Sequence, residues 1–130
     1  MTSTEPGVIT KLSPRPFDAT VSRLTGLIQE KGLKLFGVID QRAAAKDVGL
    51  ELRDTTLVMF GSPAAGTPVM AAAPLSALDL PLKVLIWADD GKVNVSYYAP
   101  ATLGSRHDLS TELATRLAGI DPLTDALVAP

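Results

Sequence analysis

The sequence predicts an α+β fold in which two main helices pack on one face of a single antiparallel sheet, in the order strand, helix, strands, helix. Short β-rich segments follow one another through a hairpin or brief connections, which favours antiparallel pairing over a parallel sheet with long crossovers. The chain has 130 residues, 46% hydrophobic and 20% charged, which suits one packed domain. We therefore expect a single domain over residues 1–130, with its core at about 8–120 and a flexible N-terminal segment at 1–7.

The first elements are a short strand and the clearest helix of the chain. Residues 8–12 are β-rich and are followed by two prolines, which cannot donate hydrogen bonds to a sheet. Asp18 is the expected N-cap of the helix, and Gly32 is its expected left-handed stop. The helix is predicted from apolar residues at helical spacing, namely Phe17, Val21, Leu24 and Ile28.

The middle of the chain predicts two strands, each followed by a short helix. Residues 33–39 alternate imperfectly between apolar and polar, and Asp40 follows as the expected N-cap of the first short helix. Residues 55–60 are β-rich and mostly apolar, which is typical of a central strand. Thr67 and Pro68 then have the N-cap and first-turn pattern of the second short helix.

A hairpin is the strongest local signal. Residues 82–88 and 92–98 are both β-rich, and the Asp90-Gly91 pair between them is typical of a tight turn. Asp89 and Asp90 also resemble a carboxylate pair suited to calcium or to acid–base chemistry. Because the backbone conformation of a turn explains Asp-Gly, we interpret this pair as structural.

The C-terminal part predicts the second main helix and a last helical piece. Asp108 is the expected cap of the second helix, whose apolar face has a spacing of four residues and consists of Leu109, Leu113 and Leu117. The last piece begins at Asp121-Pro122, because proline is favoured in the first turn of a helix. It carries two apolar residues four apart, Leu123 and Leu127.

Composition excludes several classes of function. Cysteine is absent, so the chain has no disulfide, no thiolate nucleophile and no sulfur ligand for a metal. The net charge is −2 and the basic residues are scattered, so we expect binding neither to nucleic acid nor to an anionic membrane. We expect no metal and no cofactor. The sequence shows no signal-peptide pattern and no apolar run of the ~20 residues that a membrane helix needs, which predicts a cytoplasmic location.

A family resemblance is carried by short segments that recur in order along the chain: Gly32-Leu33, Ile39-Asp40, Val48-Gly49-Leu50-Glu51-Leu52, Phe60-Gly61-Ser62-Pro63, Gly66-Thr67-Pro68, Leu80-Pro81-Leu82-Lys83-Val84, Val95-Ser96-Tyr97, and then Pro100 and His107. Over about 8–117 the chain resembles the bacterial "domain of unknown function" family 302. The resemblance implies a curved antiparallel sheet packed by two main helices, similar to one TATA-binding-protein-like repeat, and often a homodimer. It implies no established activity.

The chain departs from this family pattern at two positions. In the pattern, His often follows the aspartate found here at 40, and Asn often precedes the proline found here at 63. This chain has Gln41 and Ser62 instead. If those side chains are functional in relatives, this chain lacks acid–base capacity at the first position and an amide at the second.

Candidate ligand-binding residues lie at strand ends and in the loops that follow them. Backbone groups are free there, and a rigid sheet can position side chains around a pocket. The polar groups at these places are Asp40, Ser62, Thr67, Tyr97 and His107. A competing interpretation is that each one caps a helix, closes a turn or fills the core independently. His107 is the sole histidine and has no partner identifiable from sequence, so we assign no catalytic residue.

Residues 61–66 also spell the Gly-x-x-x-x-Gly frame of a phosphate-binding loop. Such a loop needs a lysine next, because backbone amides alone leave the outer phosphate charge uncompensated. Thr67 and Pro68 occupy that place, and the proline removes an amide donor. We therefore interpret the segment as a turn that enters a capped helix.

A dimer interface is expected on the sheet face that the helices leave uncovered. Side chains alternate along a strand, so Leu85 and Trp87 share one face, and Tyr97 and Tyr98 point to opposite faces. Exposed apolar patches usually mark interfaces, and two-fold dimers are the commonest assemblies. We therefore expect a homodimer with Leu85, Trp87 and Tyr98 at its interface.

Three functions are compatible with the sequence. The first is a non-catalytic homodimeric module that binds a small ligand or a protein partner, and the lack of a cofactor fingerprint favours it. The second is a small enzyme that uses a polar cluster of the five candidate residues. The third is a purely structural or interaction protein. Convergence of at least two polar groups on one cleft would favour the enzyme.

Overall fold

A computed structural model describes residues 5–130, and its centre is one antiparallel sheet of five strands. The strand order across the sheet is β1-β5-β4-β3-β2, so β4 is central and β1 and β2 are the edges. The strands are β1 (Val8–Ser13), β2 (Lys34–Asp40), β3 (Thr55–Gly61), β4 (Leu82–Asp89) and β5 (Lys92–Tyr98). Of the segment expected to be flexible, residues 1–4 lie outside the described residues.

Six α-helices lie among residues 5–130, together with a short 3-10 helix at Pro74–Leu78. They are α1 (Phe17–Glu30), α2 (Gln41–Asp47), α3 (Pro63–Ala72), α4 (Pro100–Arg106), α5 (Thr111–Thr115) and α6 (Ile120–Val128). Helices α1 and α6 pack against each other and against the sheet. The predicted α+β class with a single antiparallel sheet is therefore confirmed, although the second main helix is α6 and not the segment after Asp108.

The main core lies between the sheet and these two helices. Alternation is clearest in β3, where every second side chain is buried. Fully buried side chains from three strands meet those of α1 and α6, and each large one contributes about 1.5–3 kcal/mol by leaving water. They include Leu24, Ile28, Val58, Val84, Ile86, Val95, Leu123 and Leu127.

A second apolar cluster contains residues from α3, α4 and the segment that follows α5. Its buried members are Val69, Leu103 and Leu117, and Leu80 and Leu82 pack against it. Leu82 also packs against the main core, so the two clusters meet at the start of β4. A cavity lies beside this junction.

Two predicted helix starts are corrected by the structure. Helix α1 begins at Phe17 behind Pro16, which offers no side-chain cap, and Asp18 lies in the first turn, where a negative charge favours the helix dipole. Helix α3 begins at Pro63 and not at Thr67, because Ser62 accepts a 3.2 Å hydrogen bond from the Ala65 amide. Ser62-Pro63 and Thr67-Pro68 carry the same start signal, and the chain uses the earlier one.

The predicted helix after Asp108 is interrupted. Asp108 has φ 50°, a left-handed conformation that separates α4 from α5, so it does not act as an N-cap. Ser110 caps α5 instead, accepting a 3.2 Å hydrogen bond from the Leu113 amide. The three leucines predicted to share a face, Leu109, Leu113 and Leu117, nevertheless all join the second cluster.

The hairpin and the Asp40 cap are both formed as the sequence predicts. Asp90 and Gly91 both have positive φ, 51° and 76°, which is the requirement of a type I′ turn between β4 and β5. The Asp40 carboxylate accepts a 2.9 Å hydrogen bond from the Ala43 amide at the start of α2. Asp40 is therefore the N-cap that its position after an apolar strand predicts.

Candidate functional site

An apolar cavity of about 500 Å³ opens beside the N-terminal half of α3, and we name it the α3 cavity. It lies where the first residues of β2 and β4 and the end of β3 meet α3 and the start of α6. Its volume is in the range of pockets that hold small molecules, about 300–1,000 Å³. The wall is mainly hydrophobic and includes Leu33, Phe36, Phe60, Met70, Leu80 and Ile120.

Small residues keep this space open. Gly61, at the end of β3, and Gly66, within α3, both line the cavity, as does Ala65 between Ser62 and Gly66. A Cβ atom at Gly66 would lie 3.9 Å from Met70 Cε, which is ordinary van der Waals contact. A methyl group at Gly66 would therefore narrow the cavity beside Met70, and larger side chains at these positions would extend further into it and reduce its volume more.

Four polar side chains line the α3 cavity. Lys31 follows the end of α1 and Arg116 follows α5, and both are exposed. Ser62 and Thr67 belong to the cap and the second turn of α3. Arg116 has one acidic neighbour, Glu112, at 3.9 Å between Nη2 and Oε1, and this pair is exposed to water. The cavity wall contains no aspartate or glutamate.

The structure divides the five predicted ligand-binding residues. Ser62 and Thr67 line the α3 cavity, but Asp40, Tyr97 and His107 do not. Asp40 caps α2, and the two aromatic side chains each bind a carboxylate elsewhere. The single shared site hypothesised from the strand ends is therefore not formed, because three of its members are engaged in local structure.

His107 belongs to a charged cluster at the C-terminal end of α4. Its Nε2 lies 2.6 Å from Asp79 Oδ2, and Arg106 Nη1 donates to both oxygens of Asp79 at 3.0 Å. Burial raises the pKa of Asp79, but hydrogen bonds from His107 and Arg106 outweigh it and hold that pKa below its ordinary value. Arg106 also lies 5.2 Å from the ring centre of Tyr98. The cluster joins α4 to the segment before β4.

Tyr97 belongs to a second polar cluster, between the sheet and α6. Its hydroxyl donates to Asp121 Oδ1 at 2.6 Å, and Lys11 donates to Thr124 Oγ1 at 2.7 Å and to Asp125 Oδ1 at 2.8 Å. Burial and the hydrogen bond to Asp121 raise the pKa of Tyr97, against the opposing effects of Thr124 and Lys11. At neutral pH the phenol therefore stays protonated and acts as a donor.

The residues predicted at a dimer interface share one surface. We call it the open sheet face, the side of the sheet opposite α1 and α6, and it carries Leu12, Leu57, Met59, Leu85, Trp87 and Tyr98. Leu12 is 53% exposed and Tyr98 is 43% exposed, whereas Tyr97 is buried, so the two tyrosines point to opposite faces as expected. Trp87 Nε1 donates to Ser96 Oγ at 2.9 Å, which fixes the indole on this face.

Neither a metal centre nor a membrane helix is found in the part of the chain that the structure describes. Within residues 5–130 no three His, Asp or Glu side chains come close enough together to hold a metal ion. No helix in the same range combines the length and the hydrophobicity needed to cross a bilayer.

A five-stranded antiparallel sheet backed by two helices and bordered by this cavity defines a small α+β protein. Residues 9–127 match the family described as "Domain of unknown function DUF302". The chain belongs to this family, which confirms the resemblance seen in its short segments. The family description assigns no activity.

The chain is similar to curated proteins from Brucella. It is 36% identical over 104 residues to the "Fluoride-specific ion channel FluC 1" of Brucella suis, covering 79% of this chain and 41% of that protein. The match to the "Fluoride-specific ion channel FluC 2" of Brucella melitensis has the same identity and covers 38% of that protein. The chain therefore spans about two fifths of the length of these relatives.

The fold is similar to that of a solved structure. The crystal structure of a conserved DUF302 protein from Bacillus stearothermophilus superposes with a TM-score of 0.80. The superposition covers 95% of this chain and 97% of the other, at 16% sequence identity. This similarity supports the α+β assignment and extends to the whole architecture.

Proposed function

We propose that this chain is a non-catalytic, single-domain, homodimeric module that binds a small molecule in the α3 cavity. The observation that carries the proposal is the cavity itself, about 500 Å³ with a mainly apolar wall at the junction of the two apolar clusters. A ligand that buries apolar surface there gains about 25 cal/mol per Å². A few polar groups at the mouth then fix its orientation.

The placement of the acid–base groups supports binding without catalysis. A general acid or base must lie within hydrogen-bond reach of the reacting atom. Among the five candidates, the side chains that could transfer protons are those of Asp40, Tyr97 and His107, and none of them lines the α3 cavity. Asp40 caps α2, and the other two are paired to carboxylates. The polar side chains of the cavity, Lys31, Ser62, Thr67 and Arg116, offer no base oriented by a carboxylate.

The open sheet face supports the homodimer. Its apolar side chains extend across four strands, from Leu12 on β1 to Leu57 on β3. Leu85 and Trp87 lie at its centre and Tyr98 at its side, and none of the three is fully buried. Two such faces from separate copies can pack with their side chains interleaved, as sheets do in a β-sandwich.

A binding assay with a neutral fluorescent probe tests the ligand site. N-phenyl-1-naphthylamine fluoresces weakly in water and strongly in apolar pockets, so its titration reports occupancy of the α3 cavity. Ala65→Phe fills the cavity from α3, and Ala64→Phe is the matched control because Ala64 is exposed and does not line the cavity. We expect saturable binding by the wild type and by Ala64→Phe, with at least a tenfold loss in Ala65→Phe.

Two results would count against the proposal. If wild-type protein gave no saturable increase in probe fluorescence, the α3 cavity would not bind apolar molecules. Equal binding by Ala65→Phe and Ala64→Phe would place the probe elsewhere. Circular dichroism and melting temperature of both variants check that each is folded.

A further inference from the structure

The polar side chains at the mouth of the α3 cavity can all donate hydrogen bonds. The Lys31 ammonium and the Arg116 guanidinium are donors only. Ser62 Oγ already accepts from the Ala65 amide, so its proton is left to donate outwards. Thr67 adds a second hydroxyl. A ligand group that satisfies these side chains must therefore accept hydrogen bonds.

The charged side chains of the cavity also favour a ligand group that accepts hydrogen bonds, and specifically an anion. Two cationic side chains line it and no carboxylate does, although the chain as a whole has a net charge of −2. The Glu112 carboxylate is 3.9 Å from Arg116 and 83% exposed, and pairs of this kind are weak in water. Arg116 can therefore exchange this partner for an anion at the cavity mouth.

We propose that the α3 cavity binds a carboxylate that carries an apolar tail, such as a medium-chain fatty acid. The tail lies against the wall formed by residues such as Phe60 and Met70, and Lys31 and Arg116 bind the carboxylate at the mouth. Guanidinium and carboxylate are geometrically matched, which makes Arg116 the stronger of the two contacts. This inference rests on the proposed function, because it specifies the ligand of the same cavity.

Paired ligands separate recognition of the anion from recognition of the tail. Octanoate and 1-octanol have equal carbon counts, and each is titrated against bound N-phenyl-1-naphthylamine. Octanoate and 1-octanol differ in how readily they leave water, but this difference does not depend on the protein variant. We therefore compare the octanoate-to-octanol affinity ratio between variants. The test variant is Lys31→Gln with Arg116→Gln. The control is Lys46→Gln with Arg53→Gln, which removes the same charge from exposed residues outside the cavity.

We expect the octanoate-to-octanol affinity ratio to fall by about fivefold in the test variant, which is the effect of losing two solvent-exposed ion pairs. The ratio should not change in the control. The ratio in the wild type should also fall as salt is raised, because exposed charges are screened. A ratio equal in wild type and test variant overturns this inference, while probe binding by the wild type leaves the proposed function standing. Failure of the wild type to bind the probe at all overturns both.

Discussion

The Tyr97 hydroxyl donates a 2.6 Å hydrogen bond to Asp121 Oδ1, and this contact joins β5 to the first turn of α6. Another side chain holds the far end of the same helix. Arg15 donates to the carbonyls of Leu127 and Ala129, both at 2.7 Å. Cations at a helix C-terminus satisfy unpaired carbonyls and favour the helix dipole. Helix α6, which is only nine residues long, is therefore fixed at both ends.

Replacing Tyr97 with Phe should destabilise the protein. The variant keeps the ring in the core but leaves Asp121 without its donor, and we expect a loss of about 1–2 kcal/mol in the free energy of unfolding. Tyr98→Phe is the matched control, because Tyr98 is the next residue and is 43% exposed. Urea denaturation at pH 7 measures the free energy of unfolding of both variants. Equal stabilities for the two variants would show that the hydrogen bond contributes nothing.

The second prediction concerns acid stability and Asp79. Because the pKa of Asp79 is lower in the folded protein than its ordinary value, the stability that it contributes is present above the unfolded value, about 4, and is lost as pH falls through the folded value. Asp79→Asn should therefore cost about 1–2 kcal/mol at pH 7, and the difference from wild type should shrink below pH 4.

Asp90→Asn controls for loss of a carboxylate alone. Asp90 lies in the exposed hairpin turn with positive φ, a conformation that Asn also tolerates. Its unfolding free energy should follow that of the wild type across the pH range. A deficit in Asp79→Asn that persists unchanged at pH 2 would mean that the ionised carboxylate is not the source of the stability.

The sheet could be predicted from sequence because its signals are local. Alternation with a period of two predicted that Tyr97 and Tyr98 point to opposite faces, and the structure buries Tyr97 and exposes Tyr98. The Asp90-Gly91 pair predicted the turn. The break after α4 could not be predicted in this way. An aspartate before an apolar helical face is as compatible with an N-cap as with the left-handed conformation that Asp108 adopts, and only the packing of α4 against α5 distinguishes them.

Of the four polar side chains that line the α3 cavity, only two could be predicted from the sequence. Ser62 and Thr67 could be identified because a strand end and a helix start are visible in sequence. Lys31, Gly66 and Arg116 come from three separate regions of the chain and share no motif, so nothing local connects them. Tertiary packing also removed Tyr97 and His107 from the cavity by giving each a carboxylate partner, Asp121 and Asp79, that sequence spacing does not reveal.

The protein should need no metal. The chain has no cysteine and one histidine, and that histidine is already bound to Asp79. We expect elemental analysis of protein purified without a metal-affinity tag to find zinc, iron and copper well below one ion per chain. Removing trace metal with a chelator should leave the melting temperature unchanged. A stoichiometric metal, or a clear loss of melting temperature, would contradict this.

Homodimerisation through the open sheet face is tested by mass. Light scattering on the eluted protein should give about twice the 13.6 kDa of one chain. Trp87→Asp places a charge at the centre of the face and should yield monomer. Because Trp87 also donates to Ser96, Tyr98→Asp provides a second variant at an exposed position. A monomeric wild type at micromolar concentration would exclude the dimer.

Two helical glycines separate stability from binding. Gly26 lies inside α1, and a Cβ atom built there meets nothing within 4 Å. Gly66 lies inside α3, where a Cβ atom meets Met70 and Leu80 at ordinary contact distances. Alanine is favoured over glycine in helices by about 0.5–1 kcal/mol, so both Gly26→Ala and Gly66→Ala should raise the free energy of unfolding.

The two variants should differ in the binding assay, because only Gly66 lines the α3 cavity. The added methyl group of Gly66→Ala narrows the cavity beside Met70, so the affinity of this variant for N-phenyl-1-naphthylamine should fall. The affinity of Gly26→Ala should stay at the wild-type value. Thermal melts give the stability and fluorescence titration gives the affinity. If both variants are stabilised and both bind the probe as the wild type does, the space beside α3 is not where the ligand lies.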